Sequence, residues 1–265
     1  MKHVGVRDCG WNVVRFAIVT FAMTIVAHAL AYLTHEYSHS SMAWLLGWMK
    51  TPFAIDYGSA TPNNVIFLDD VSDNVDYGPI LANGKGYSVA VIALAGPFIG
   101  NGALFFLLDR LLRTKVVRSQ WLLHAFLYWL CLMCAGNVWG YVPIRAITTH
   151  ADIALAAQGL GLSPWALFPA LMTLSGYIVF RFFTKTFPRA CDGICGRNPE
   201  KYLLLSVLSA FWFFSFFSAD GISGSYGVLS QILSIASRYL VFPLCAVWLW
   251  NAYGKDLSSR TPASS

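Results

Sequence analysis

Long apolar runs alternate along this chain with short polar connections. Stretches of about 20 apolar residues, enough to cross ~30 Å of hydrocarbon as a helix, read near 13–34 (the pattern continuing to about 48), 87–108, 119–142, 164–183, 202–219 and 228–252. The pattern predicts an all-α membrane protein of about six transmembrane helices, the first unusually long. One connection differs from the rest. Residues 49–86 carry five aspartates (Asp56, Asp69, Asp70, Asp73, Asp76) and two lysines. Within them 51–58 reads as a short strand ended by glycine and 64–68 as another, so a strand-bearing loop is expected after the first helix.

Composition supports the membrane reading. At 57% hydrophobic and 12% charged residues, with a mean hydropathy of +0.56, the chain is too apolar for a soluble domain of 265 residues. The net charge of +5 is not a nucleic-acid footprint, because no basic, aromatic-interleaved soluble patch accompanies it; no nucleic-acid partner is expected. It reflects loop asymmetry. Of the 18 basic residues, 14 fall on one side of the expected spans: Lys2, Arg7, Arg15, Arg110, Arg113, Lys115, Arg118, Arg181, Lys185, Arg189, Arg197, Lys201, Lys255 and Arg260. Lys50, Lys85 and Arg145 fall on the other, and Arg238 lies inside the last span. The positive-inside rule then puts both termini in the cytoplasm and the loop 49–86 outside it. No cleavable signal is read, so the first span is expected to stay as a signal anchor. Cys131 and Cys134 share a face of an apolar helix, and Cys191 and Cys195 fall in an expected cytoplasmic loop, where thiols stay reduced and a disulfide framework is not expected. The tail 257–265 is expected to be disordered.

One polar cluster interrupts the first span: His35-Glu36-Tyr37-Ser38-His39. An ionisable residue inside a bilayer costs about 2.5–3.5 kcal/mol on insertion scales, so two histidines and a carboxylate there call for a function. Positions i and i+4 share a helix face, which lets His35 and His39 offer a nitrogen each to one zinc ion while Glu36 stands by to take a proton from water. With 6 histidines and only Glu36 and Glu200 as glutamates, such a pattern arises by accident in roughly one such chain per thousand. The competing reading has these groups simply hydrogen-bonding other helices. A catalytic zinc needs a third protein ligand. His28 lies about 10.5 Å along the helix from His35, too far to share an ion; His3 is in the polar leader and His124 opens the third span at the wrong end. His150 and Asp152 remain, just past the outer end of that span, although Asp152 could equally cap the helix that follows.

The residues now resemble a family, the site-2 protease-like intramembrane zinc metalloproteases. HEYSH matches the family's HExxH, residues 95–101 (Ala-Gly-Pro-Phe-Ile-Gly-Asn) resemble its GPxxN element with one residue more, and Asn137, Pro143 and Asp152 resemble its Asn-Pro-Asp-Gly segment, over roughly residues 28–155. Asp152 departs from that segment: it precedes Ile153 instead of glycine and lies fifteen residues after Asn137. The resemblance implies a metalloprotease-like three-helix core in residues 1–160, followed by three further transmembrane helices and the tail in 161–265. It implies zinc held by His35, His39 and Asp152, with Glu36 activating the attacking water and Asn101 and Asn137 near the scissile carbonyl. It implies a strand-bearing loop holding the substrate by edge addition. The expected substrate is a transmembrane or membrane-proximal protein. Gly96, Pro97, Gly100 and Gly102 could open a water path or serve close packing. Other readings are hydrolysis of a lipid or other amide, haem binding through His28 and His35, and an inactive or scaffolding member.

Overall fold

The computed structural model describes residues 6–196 and 198–254, with side chains from Asn12 onward. The expected tail, and Lys2, His3, Arg197, Lys255 and Arg260, lie outside the described residues. Helix α1, Val6–Leu45, runs for 40 residues. No glycine or proline occurs between Trp11 and Leu46, so nothing breaks it until Gly47, whose φ of +79° suits glycine and ends the helix. The amides of Gly47 and Trp48 bond back to the carbonyls of Trp44 (3.0 Å) and Ala43 (2.8 Å), a Schellman closure. Two short helices follow in the connection, α2 (Pro62–Phe67) and α3 (Tyr77–Ala82). Then come α4 (Gly86–Leu111), α5 (Trp121–Ile144), α6 (Asp152–Leu160) and α7 (Pro164–Cys195). Helix α8 (199–216) and α9 (Val228–Gly254) complete the chain. Helix α5 is central, with almost all of 128–138 buried among α1, α4, α7 and α8.

Five of these helices (in α1, α4, α5, α7 and α9) are long and apolar enough to cross a membrane, and the protein is an integral membrane protein. The expected sixth span is different in kind. Helix α8 opens on Pro199, Glu200 and Lys201 and falls short in apolar character, yet it runs the full length of the bundle. At its start Lys201 Nζ donates to Asn12 Oδ1 (2.9 Å); beyond its end Asp220 pairs with Arg145 (3.5 Å). Helix α9 returns to the first end, where Tyr253 meets Phe187 and Trp250 meets Tyr202. Trp212, Phe213 and Phe214 of α8, and Phe217 just past its end, are buried in the core. Cys191 and Cys195 sit in α7, not in a loop, and are buried and free.

The strand-bearing loop is a correction. Among the described residues the connection holds no strand, only one antiparallel bridge between Asp56 and Ser72. Residues 64–68, read as a strand, fall largely in α2. Thr61 accepts the amide of Asn64 (3.1 Å) and Pro62 stands at the first helical position, a helix-starting pair that outweighs the β preference of Val65 and Ile66 alone. Asn64 then ties the loop to itself: its Nδ2 donates to the carbonyls of Tyr57 (2.9 Å) and Ser59 (2.8 Å), and its Oδ1 accepts from Asp70 N (3.0 Å).

Candidate metal centre

The inward face of α1 carries a polar stripe at helical spacing: His28, Tyr32, His35, Glu36 and His39. His28, His35, Glu36 and His39 are all buried. Along α4 the same level falls near Gly96, about 15 Å from Gly86 and about 20 Å from Asp109. The stripe's lower part therefore sits midway along an apolar span.

Three ligand atoms converge there. His35 Nε2 and His39 Nε2 are 3.0 Å apart, and Asp152 Oδ2 is 3.2 Å from each. A tetrahedral ion with ~2.0–2.1 Å bonds separates its ligand atoms by about 3.3–3.4 Å, close to the observed triangle. Asp152 Oδ2 is buried without a hydrogen-bond partner, a lack that a cation shared with the two rings could fill. Among the described residues these three form the group able to hold a metal ion.

A second layer orients the rings. His39 Nδ1 lies 2.7 Å from the carbonyl of Ile92, which can only accept; Nδ1 carries the proton and Nε2 presents its lone pair. His35 Nδ1 is 3.1 Å from the Asn101 amide, whose Oδ1 is otherwise buried without a partner. Turning that amide, which exchanges two atoms of nearly equal size, lets Oδ1 accept from Nδ1–H and frees Nε2 of His35 as well. The structure thus places Asn101 behind His35, on the side away from the ligand atoms. Tyr141 stacks on His35 (centroids 4.6 Å apart), and the Arg145 guanidinium covers the ring's other face at 4.1 Å. From the loop, Asp73 Oδ2 comes within 4.0 Å of His39 Nδ1 and accepts from Tyr77 Oη (3.1 Å). Burial raises the Asp73 carboxyl above its ordinary range, with His39 pulling the other way.

Glycines allow these elements to approach. A Cβ at Gly96 would collide with His39 Nε2 and the His35 ring, and one at Gly100 would meet Ser38 Oγ and the Thr34 carbonyl. The Gly96-x-x-x-Gly100 face thus lets α4 lie directly on the histidines; of the two readings for these glycines, close packing is the one seen. Asp152 arrives by the same means. Gly159 of α6 and Gly86 of α4 cross with backbones touching, and a Cβ on either would strike the other; Ala90, Ala93 and Ala156 continue the seam. Ala151, at φ +77°, turns the chain through a conformation that L residues seldom adopt and delivers Asp152 as the first residue of α6.

The other expected residues lie apart from the triangle. His150 is exposed and stacks on Tyr226 at 4.6 Å. Asn137 is buried, with its Oδ1 unpartnered, and lines a cavity of about 580 Å³ together with His28, Tyr32, Tyr141, Arg145 and Asp220. His28 Nε2 is 3.0 Å from the Phe67 carbonyl, and its Nδ1 is buried without a partner. Tyr141 separates the cavity from His35. Sequence reading missed Tyr141, Arg145 and Asp73. Arg145 had a signal, as the one basic residue just past the outer end of the third span; nothing marked Asp73 among its four acidic loop neighbours.

Comparison with protein-family models, with curated proteins and with solved structures finds no match for this chain.

Proposed function

We propose that this protein is a zinc-dependent intramembrane protease of the site-2 protease-like kind, cleaving a peptide bond in or near a transmembrane segment of a substrate protein. The observation that carries the reading is the triangle of His35, His39 and Asp152 ligand atoms, 3.0 to 3.2 Å on a side, beside Glu36 and halfway along an apolar bundle. A bound zinc supplies Lewis acidity there, lowering the pKa of water towards ~7 and polarising a carbonyl. Glu36, on the helical turn that carries both imidazoles, takes the proton of the attacking water and passes it to the leaving nitrogen. Ile92 and Asn101 hold the imidazoles in register, which makes Asn101 a positioning residue.

A helical substrate hides its carbonyls in i to i−4 bonds and has to unwind before attack. The cavity beside Tyr141 suits an opened segment: aromatic walls for side chains, with the polar residues Asn137 and His28 among its lining. On this reading Asn137 bonds substrate, and the loop 49–86 acts as a cover over the site. The charge pattern orients the molecule with six crossings, both described ends of the chain on the cytoplasmic side and the cavity open to the other.

Glu36→Gln separates metal binding from catalysis. Purified wild type and variant are compared for zinc content and for cleavage of a panel of tagged single-span proteins and unfolded casein in detergent. Equal zinc with cleavage lowered at least about 100-fold is expected for loss of a general base. Wild-type cleavage by the variant, or failure of both proteins to take up a divalent ion, overturns the proposal.

A further inference from the structure

We propose that Arg113, Arg181 and Arg189, gathered around buried Asp109 at the end of the bundle away from the metal centre, bind the phosphate of an anionic lipid headgroup. Asp109 is 1% exposed, and both of its oxygens are occupied. Oδ2 accepts from Arg113 Nη2 (2.8 Å) and from Arg181 Nη2 (2.6 Å) and Nε (3.0 Å); Oδ1 accepts from Thr186 Oγ1 (2.7 Å) and stands 3.7 Å from Arg189 Nη1. One carboxylate thus faces three guanidiniums. Among the described residues none of the three meets a second carboxylate within 4.0 Å, so two positive charges are left over. A guanidinium has five N–H donors in a rigid fork, and Asp109 uses only some of them. Arg113 and Arg189 keep 45% and 46% of their side-chain surface exposed. The carboxylate fixes the forks of Arg113 and Arg181 by hydrogen bonds and draws Arg189 in by charge, leaving donors free for phosphate oxygens.

Position and surroundings point to a lipid over a soluble anion. Asp109 lies about 20 Å beyond Gly96 along α4, where that span ends, and Arg181 lies at the matching level of α7. Towards the middle of the bundle the same two helices present an apolar shelf: Leu107 and Phe180, within about half a turn of the cluster, and Tyr177, about one turn deeper, are exposed, and Phe106 stacks on Tyr177 (6.0 Å) to join the helices. Charge at headgroup depth above an exposed apolar shelf matches a phospholipid, phosphate above and acyl chain below. A free anion has no use for the shelf.

The test reconstitutes the full chain in nanodiscs of phosphatidylcholine with a small fraction of phosphatidylglycerol, and identifies lipids retained on extraction by native mass spectrometry. Phosphatidylglycerol is expected to be retained over phosphatidylcholine. Arg189→Gln, the most exposed of the three, and Arg113→Gln are each expected to lower that retention at least about tenfold, the loss of a charge-assisted hydrogen bond to phosphate. Lys115→Gln and Arg118→Gln remove charge from the same end outside the cluster and are expected to leave it unchanged. Thermal unfolding of each variant identifies any that fail to fold; Arg189→Lys, which keeps the charge but loses the fork, then serves in their place with an intermediate loss. Equal losses from Arg118→Gln and Arg189→Gln would mean general attraction and overturn the site. Binding of inorganic phosphate without phosphatidylglycerol enrichment would overturn its lipid assignment.

Discussion

Two imidazole lone pairs and a carboxylate oxygen within 3.2 Å of one another repel unless a cation or protons lie between them, and this sets the first expectations at the scale of single residues. Asp152→Ala removes one of three ligands and is expected to abolish stable zinc retention through dialysis against a weak chelator, measured by elemental analysis; His150→Ala, on a ring stacked against Tyr226, is expected to leave zinc unchanged. The reverse pattern would move the site. Asn101 offers a sharper distinction. As the partner of His35 Nδ1 it orients a ligand, and Asn101→Leu is expected to weaken zinc affinity about 10–100-fold, the usual effect of losing an outer-layer partner. Were it instead an oxyanion donor, zinc affinity would hold and turnover alone would fall. The spacing of His35 and His39 was legible because a helix turns 3.6 residues at a time. The Asn101 contact was not, because a sequence can bring an asparagine to a site without saying which atom it meets.

At the scale of elements, small residues decide which helices touch. Gly159→Val or Gly86→Val pushes α6 off α4, and with it Asp152 off the two imidazoles; a loss of zinc retention comparable to that of Asp152→Ala is expected, with the helical circular dichroism preserved. Gly96→Ala intrudes on the rings themselves and is expected to act likewise. Gly176 provides the contrast, since a Cβ there meets nothing within 4 Å. Gly176→Ala is expected to keep zinc and to raise the thermal midpoint slightly, by the ~0.4–1 kcal/mol of a helical glycine replaced where the backbone allows it. These seams explain where sequence reading succeeded and failed. Apolar run length located α1, α4, α5, α7 and α9, since a bilayer demands a minimum of helix. The strand pattern misread 64–68, where Thr61 and Pro62 start a helix locally, and the apolar run at 202–219 folds into α8, whose polar start leaves it less apolar than the other five. The Gly86–Gly159 crossing lies between residues 73 apart in the chain, and no local pattern announces it.

For the whole molecule, the two ends of the bundle differ in the charged groups they carry. One end holds Asn12, Lys201, Arg113, Arg181, Arg189 and Gly254; the other holds the cavity, Arg145, Asp220, His150 and the aspartate-bearing loop beneath which His39 and Asp73 meet. Helix α8 runs between these ends despite its polar start, and α9 brings the described chain back to the end where it began. If basic residues stay cytoplasmic, a fluorescent protein fused after Ser265 is expected to be bright, and alkaline phosphatase inserted at Gly84, where the backbone turns at φ +67° into open space, is expected to be active. The opposite pair of results would invert the molecule. It would turn the cavity beside Tyr141 to the cytoplasm and restrict substrates to those presenting an unwound segment there, while leaving the zinc-binding expectations untouched. Orientation and metal binding thus fail independently, because one rests on the distribution of arginine and lysine between two ends and the other on three atoms midway between them.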